Sequence, residues 1–243
     1  MPGHFGKQDG GCSMSNTKVI VVIVEGPSDE SAIGGILTEY FSSGKVQFVV
    51  VRGDITSDYK TTVKNVISKI DNLLKKFHSR YEYTWNDYIR IIHIVDTDGA
   101  FAKDCIEKQD VKEIEYYEDH IAYYNPDEVK RRNTHKSEIL HKLYTTKRIH
   151  MIPYQIYYNS CNLEHVLFKE LKNFTDEEKT ELSDLFADQY EGKVSDFIKF
   201  ISDTSFAVTG TYKETWEYIT KDTNSLQRHT NMHLIFTEDD MIE

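Results

Sequence analysis

Residues 18–25 read Lys-Val-Ile-Val-Val-Ile-Val-Glu, an apolar run that ends abruptly in the carboxylate of Glu25 and is followed by Gly26. A continuous run of β-branched residues is typical of a parallel strand that is buried on both faces. A second run, residues 88–95, ends in the same way at Asp96-Thr97-Asp98-Gly99. The two runs therefore predict strands that bring acidic side chains together at their carboxyl ends.

The segments around these runs alternate between helical and extended patterns. Residues 32–41 carry apolar side chains at helical spacing, residues 46–51 form a short apolar run, and residues 57–78 predict a long amphipathic helix. The order β-α-β-α-β favours an α/β fold with a parallel sheet and right-handed crossovers. Residues 149–158 predict a fourth strand, which Pro153 would place at a sheet edge or in a bulge.

The second half of the chain has a different character. Residues 101–127 are acidic and rich in tyrosine and predict a short helix with a loop, whereas residues 136–143 predict a helix. Helical spacing then recurs in four segments: residues 163–171, 175–189, 193–201 and 211–219. We therefore expect three parts: a disordered or tag-like stretch at residues 1–16, an α/β core at 17–158 and a mostly helical C-terminal extension at 159–243.

Composition narrows the class of protein. The chain has 243 residues, of which 39% are hydrophobic and 12% aromatic, and this suits a folded domain rather than a disordered chain. No apolar run approaches the ~20 residues of a membrane helix, and the polar start lacks a signal-peptide core, so no membrane partner is expected. Three widely spaced cysteines support neither a disulfide framework nor a zinc site, which favours a cytoplasmic location.

The charge of the chain is unevenly distributed. A net charge of −11 disfavours general electrostatic attachment to nucleic acid or to anionic membranes. Residues 130–150, however, contain seven Lys and Arg residues and one acid, Glu138. This stretch is either a solvated helix face or a track for phosphate groups. The candidate nucleic-acid ligands, from this stretch and from the end of the second strand, are Arg52, Lys60, Arg131, Arg132 and Lys136.

Glu25, Asp96 and Asp98 are the candidate catalytic and metal-binding residues. Ligands of open α/β sheets bind at the carboxyl ends of strands, where these acids stand. Alternate residues on an extended strand share a face, so Asp96 and Asp98 would approach one cation together, and Gly99 lets the chain turn away. An all-oxygen set suits a hard cation such as Mg²⁺. The alternative is a strand-end turn in which the aspartates act as caps.

These motifs resemble the Toprim domain, which is shared by topoisomerases, bacterial primases and several compact nucleases. The family pattern is a glutamate that closes the first strand in a Val-Glu-Gly context, followed well downstream by a strand that ends in Asp-x-Asp. The matching residues here are Val24-Glu25-Gly26 and Asp96-Thr97-Asp98, and the resemblance covers about residues 18–101. It implies a Toprim-like parallel sheet flanked by helices.

The resemblance also implies a chemistry. Asp96 and Asp98 would hold Mg²⁺ or Mn²⁺, and Glu25 would be a metal ligand or a general acid–base group. The chain is similar in particular to compact stand-alone Toprim nucleases of bacterial anti-phage systems, of the overcoming-lysogenization-defect kind. In such relatives an acid opens a helix after a later strand, and Glu164 occupies that position here, so it is a further candidate metal ligand. The implied function is a magnesium-dependent nuclease acting on DNA or RNA in anti-phage defence, with a partner ATPase and a homodimer as implied partners.

Two other functions fit parts of the sequence. Residues 95–99, Val-Asp-Thr-Asp-Gly, are also similar to the first motif of haloacid-dehalogenase phosphatases, in which the first aspartate is a nucleophile. That family usually opens its catalytic domain with this strand, which would leave the preceding β-α-β-α segment unexplained. The third alternative is a non-enzymatic regulatory module that binds nucleic acid or protein, in which the acidic cluster is structural.

Overall fold

The structure is a computed structural model that describes residues 18–42, 45–50 and 55–237, with the backbone alone for residues 48–50. Its strands are β1 (Val19–Val24), β2 (Lys45–Val50), β3 (Tyr88–Asp96), β4 (Ile106–Lys108), β5 (Glu115–Tyr116), β6 (Ile121–Tyr123), β7 (Arg148–Ile149) and β8 (Ile152–Asn159). Its α-helices are α1 (Pro27–Tyr40), α2 (Val66–His78), α3 (Pro126–Thr145), α4 (Leu163–Phe168), α5 (Asp176–Tyr190), α6 (Val194–Ile201) and α7 (Tyr212–Ile219). Short 3-10 turns occupy Trp85–Asp87 and Met232–Phe236.

A mostly parallel sheet organises the fold. Its strand order is β2-β1-β3-β8-β7, in which β2, β1, β3 and β8 run parallel and β7 pairs antiparallel with β8. Parallel neighbours place their carboxyl ends at one edge, so the segments that follow β1, β2, β3 and β8 all leave from the same side of the sheet. The predicted α/β class with a helical C-terminal part is confirmed.

Helices cover both faces of the sheet. Alternate residues of β1 enter two separate apolar clusters, with Val21 and Ile23 in one and Val22 and Val24 in the other. The first cluster contains residues of α2, α3 and α7, and the second contains residues of α1, α4, α5 and α6. The continuous apolar run of β1 is therefore explained by burial on both sides. The helices after residue 162 pack on both faces of the sheet and complete its core.

Three details differ from the sequence-based expectations. Residues 101–127, expected to form a short helix and a loop, instead contain a small sheet in which β6 lies between β4 and β5. Helix α3 is much longer than residues 136–143, because Pro126 at its first position is compatible with a helix start. Helix α2 begins at Val66 rather than at residue 57, because residues 55–65 are mainly turns.

Pro153 lies near the sheet edge but not on an edge strand. Strand β8 stands between β3 and β7, and it pairs with β3 through Tyr154 to Asn159, one residue beyond the proline. Pro153 itself is opposite Arg148 of the two-residue strand β7. The missing N–H of proline therefore falls outside the parallel ladder with β3. Among the helices of residues 18–237 that the structure describes, none is both long and apolar enough to cross a membrane.

The turn after β3 generates a stability prediction. Gly99 has φ +64°, and an added Cβ would overlap the side chain of Leu226 and lie 3.1 Å from Ile121 Cδ1. We expect Gly99→Ala to lower the free energy of unfolding by about 2–4 kcal/mol, because it combines a strained backbone with overpacking. Urea unfolding followed by circular dichroism measures the change.

Gly35→Ala is the matched control for this substitution. Gly35 lies within α1, and an added Cβ there meets no atom within 4 Å. The control should gain about 0.5–1 kcal/mol, because alanine replaces glycine in a helix interior. Equal stability of Gly99→Ala and wild type would contradict the tight packing of this turn.

Candidate metal centre

Glu25 and Asp96 meet at the carboxyl edge of the sheet. Glu25 directly follows β1, and Asp96 is the last residue of the adjacent parallel strand β3. The Glu25 Oε1 atom accepts a hydrogen bond from the backbone N–H of Asp96 at 3.3 Å. The head group of Glu25 therefore points towards Asp96, as the sequence predicts, and both side chains are half-buried.

Asp96 lies in a strongly negative environment. Burial raises the pKa of its carboxyl well above the ordinary value, and the nearby charges of Glu25, Asp29, Glu164 and Asp98 raise it further. One neutral donor partly offsets this charge, because Asn159 Nδ2 donates to Asp96 Oδ1 at 3.3 Å across the β3–β8 pairing. A carboxylate surrounded by other carboxylates is stabilised by any cation that enters among them.

Asp29 belongs to the same cluster. Its Oδ2 accepts a hydrogen bond from the backbone N–H of Gly26 at 2.9 Å, which caps the start of α1. Burial raises the pKa of Asp29 to about 6, with a further contribution from the charge of Glu164, against the opposing effects of Gly26 and Lys179. Burial thus brings the pKa of Asp29 closer to neutral pH than that of an ordinary carboxyl.

Asp98 does not share a strand face with Asp96. Strand β3 ends at Asp96, and Asp98 has a left-handed backbone with φ 46°. The expected period-two alignment is therefore wrong, because that alignment holds only within an extended strand. Asp98 instead reaches α3, where the Nζ atom of Lys136 lies 2.5 Å from its Oδ2.

Lys136 and Arg132 hold this turn against α3. The side chain of Lys136 is fully buried, so it pairs with Asp98 rather than forming part of an exposed phosphate track. Arg132 donates from Nη2 to the backbone carbonyl of Asp98 at 2.8 Å and from Nη1 to the hydroxyl of Tyr116 at 2.7 Å. Both basic residues therefore position the acidic turn in this structure.

Glu164 also faces the cluster but has its own cationic partner. It stands in the first turn of α4, where Asn162 Oδ1 caps the helix by accepting from the N–H of His165 at 2.8 Å. Its Oε1 lies 3.1 Å from Lys179 Nζ of α5. Burial lowers the pKa of Lys179, but the charge and hydrogen bond of Glu164 together with the charges of Asp96 and Asp29 outweigh it, so the net shift is upward.

The remaining candidate residues lie in different places. Lys60 and Arg131 are exposed, on the segment before α2 and on α3. Arg52 lies outside the described residues. No signal in the sequence singled out Lys179, which comes from a helix far along the chain. Asn159, in contrast, is a polar residue at the end of an apolar strand, as Asp96 is. The sequence pattern could therefore have identified it.

The residues fit a magnesium-type ion better than a metal that requires a complete protein cage. Within residues 18–42, 45–50 and 55–237, no three Asp, Glu, His or Cys side chains form a ready ligand group. Mg²⁺ does not need one, because it keeps several waters and is usually held by one or two carboxylates plus substrate phosphates. Glu25 and Asp96 would supply those two carboxylates; Asp98 and Glu164 are each paired with a lysine.

Comparison with known proteins does not name a family for this chain. No family model, curated protein or solved structure matches it. A functional assignment therefore depends on the geometry and charge of the acidic cluster and on the sequence motifs that form it.

The raised pKa of Asp29 generates a pH prediction. Its folded-state pKa of about 6 exceeds the ordinary 3.8, so the folded protein retains this proton where the unfolded chain has released it. The resulting stabilisation is full below about pH 4 and is lost as the pH rises through about 6. Asp29→Asn keeps an acceptor for Gly26 and carries no charge.

We therefore expect Asp29→Asn to be more stable than wild type at about pH 8, by on the order of 1–2 kcal/mol after allowance for solvent screening. The difference should disappear at about pH 3 and below, where Asp29 is largely protonated in both states. Urea unfolding in EDTA across this pH range measures it. Asp104→Asn, at a side chain that is 94% exposed, is the control. A difference that does not vary with pH would contradict the raised pKa.

Proposed function

We propose that this protein is a divalent-metal-dependent nuclease that hydrolyses phosphodiester bonds of DNA or RNA. The single observation that carries the proposal is the hydrogen bond from the Asp96 N–H to Glu25 Oε1, which brings two strand-end carboxylates together. They stand at the carboxyl edge of a parallel sheet, the usual ligand-binding edge of open α/β folds. The cluster around them is acidic, whereas α3 beside it carries exposed basic residues.

Each residue of the cluster has a role in this proposal. Glu25 and Asp96 would hold Mg²⁺ or Mn²⁺, and a bound cation supplies positive charge against the phosphate and activates water. Lys136 pairs with Asp98 and Lys179 pairs with Glu164, and these contacts hold the two acids in place. Asp29 has a pKa of about 6, which suits a group that accepts or releases a proton at neutral pH.

Membership of the Toprim superfamily stays a prediction. It is supported by the order of the elements, because Glu25 follows the first strand and Asp96 ends the strand beside it. A role in anti-phage defence, a partner ATPase and a homodimer all depend on that membership, and they are proposed only with it.

A non-enzymatic binding module is the second candidate. The ion pairs of Asp98 with Lys136 and of Glu164 with Lys179 favour it, because two of the four predicted metal ligands already have protein cations as partners. In that case the acids position α3, α4 and α5, and the protein has no need of a metal. The two candidates differ in whether Glu25 and Asp96 are needed for activity or only for stability.

Cleavage assays separate these candidates. We expect wild type to cleave plasmid DNA, single-stranded DNA or RNA only with Mg²⁺ or Mn²⁺. Substitutions outside the ligand shell of a metal typically lower activity by about 10–100-fold. Glu25→Gln and Asp96→Asn should each lower the cleavage rate by more than this, because each removes a charged ligand but keeps the shape of the side chain. Glu181→Gln, at an exposed position of α5, is the matched control and should retain full activity.

Cleavage by Asp96→Asn at the wild-type rate would overturn the proposed site. Trapping a phospho-aspartate at Asp96 during hydrolysis of a phosphomonoester would favour the haloacid-dehalogenase alternative instead. Absence of metal-dependent cleavage on all three substrates, with folded protein, would leave the binding module as the better explanation.

Metal binding should also depend on pH. A cation displaces the protons that the raised pKa values of Asp96 and Asp29 retain, so its affinity rises with pH. We expect millimolar Mg²⁺ to raise the melting temperature more at about pH 8 than at about pH 5, because ligand bound only by the folded state stabilises it. Differential scanning fluorimetry measures the shift, and Asp96→Asn should abolish it while Asp104→Asn should not. An equal shift for wild type and Asp96→Asn would contradict binding at this cluster.

A further inference from the structure

An exposed aromatic ring packs against helix α3. Tyr59 is 63% exposed. Its ring lies against the imidazole of His135 of α3, with centroids 5.5 Å apart and planes tilted by 33°. His135 is fixed in turn, because its Nε2 donates to the backbone carbonyl of Asp58 at 3.3 Å. The Tyr59 ring therefore has one protein contact at His135, while most of its surface is exposed.

The chain topology places this ring pair at the same edge as the acids. Strand β2 runs parallel to β1, so residues 55–65, which lie between β2 and α2, belong to the carboxyl side of the sheet. His135 immediately precedes Lys136, whose Nζ contacts Asp98. Arg132, less than one turn before His135, donates to the Asp98 carbonyl. The helix that carries the imidazole is therefore bound directly to the acidic turn.

Basic side chains flank the ring pair. Lys60 follows Tyr59 directly, and Lys64 lies further along the same segment; both are exposed. Arg131 is exposed and lies four residues before His135, which places the two on one face of α3. We call Tyr59, Lys60, Arg131 and His135 the Tyr59 platform. In a chain of net charge −11, an aromatic surface bordered by cations is complementary to a ligand that combines planar rings with phosphates.

We infer that the Tyr59 platform stacks an unpaired base, so that single-stranded DNA or RNA is the substrate that the acidic cluster acts on. This inference rests on the proposed nuclease function. Bases inside a duplex already stack on their neighbours, whereas an unpaired base offers a free face to an exposed aromatic ring. Every base has such a face, so the platform distinguishes single-stranded from double-stranded nucleic acid and does not read the base sequence. Lys60 and Arg131 contact the adjoining phosphates.

Equilibrium binding tests this inference without relying on cleavage. Fluorescence anisotropy of the full-length protein in EDTA is measured with one labelled oligonucleotide, as a single strand and as a duplex, in DNA and in RNA. Wild type should bind single strands at least about tenfold more tightly than duplexes. Tyr59→Ala should lose about tenfold or more of single-strand affinity, the amount that one base–aromatic stack typically contributes, and should leave duplex binding unchanged.

Two further variants sharpen the test. Tyr59→Trp should retain single-strand binding, because the larger ring still stacks, and this separates stacking from loss of the tyrosine hydroxyl. Tyr81→Ala removes a ring that is 43% exposed in the segment between α2 and β3, where the chain enters the amino end of β3, and it should bind as wild type does. Arg131→Gln should weaken binding to all sequences and reduce the slope of log affinity against log salt by about one.

Specific results overturn the inference. Duplex binding as tight as single-strand binding, or full single-strand affinity in Tyr59→Ala, would contradict a stacking platform. These results are distinguishable from failure of the proposed function. Metal-dependent cleavage that is lost in Asp96→Asn, together with unchanged binding by Tyr59→Ala, refutes the platform and leaves the nuclease. Tyr59-dependent binding without cleavage refutes the nuclease, and with it the platform as a substrate site.

Discussion

The parallel pairing of β1 with β3 is the constraint on which the acidic cluster depends. It brings the end of each strand to the same edge, so that Glu25 accepts from the N–H of Asp96. Holding ionised carboxylates together in a half-buried place is unfavourable, as the raised pKa of Asp96 indicates. Two apolar clusters that use opposite faces of the same strands supply the stability that keeps the acids in contact. The packing of helices on both faces of the sheet therefore offsets the unfavourable electrostatic free energy of the acidic cluster.

The two buried or half-buried lysines show how the protein limits that cost. Lys136 pairs with Asp98, and Lys179 pairs with Glu164, so two of the acids are neutralised by fixed protein cations. Glu25 and Asp96 each accept a hydrogen bond from an uncharged donor: the N–H of Asp96 for Glu25 and the amide of Asn159 for Asp96. In the proposed function, a bound cation would add positive charge at Glu25 and Asp96, beside the two acids that already have lysine partners.

The sequence predicted the strands and the meeting of Glu25 with Asp96 because both follow from a local pattern, an apolar run with an acid at its end. It did not predict the direction of Asp98, since that depends on a left-handed turn and on a lysine 38 residues away. The small sheet of β4, β5 and β6 was missed because its strands have only two or three residues, too few for a period to emerge. Lys179 left no signal at all, because its position is set by the packing of α5 against α1. Local sequence patterns therefore predict the strands that bring Glu25 and Asp96 together, whereas the positions of the paired lysines depend on long-range packing.

An acidic protein that acts on a polyanion must reverse its charge where the two meet. With a net charge of −11, general attraction is absent, so binding must come from a small surface rather than from the whole molecule. Helix α3 has the charge distribution that the proposed function requires, since its inward side anchors the acidic turn through Arg132 and Lys136 and its outward side carries Arg131. One helix therefore fixes the geometry of the carboxylates and presents positive charge beside them. A substitution that shifts α3 would alter both properties together, whereas one on its outer face would change binding and leave the acids in place.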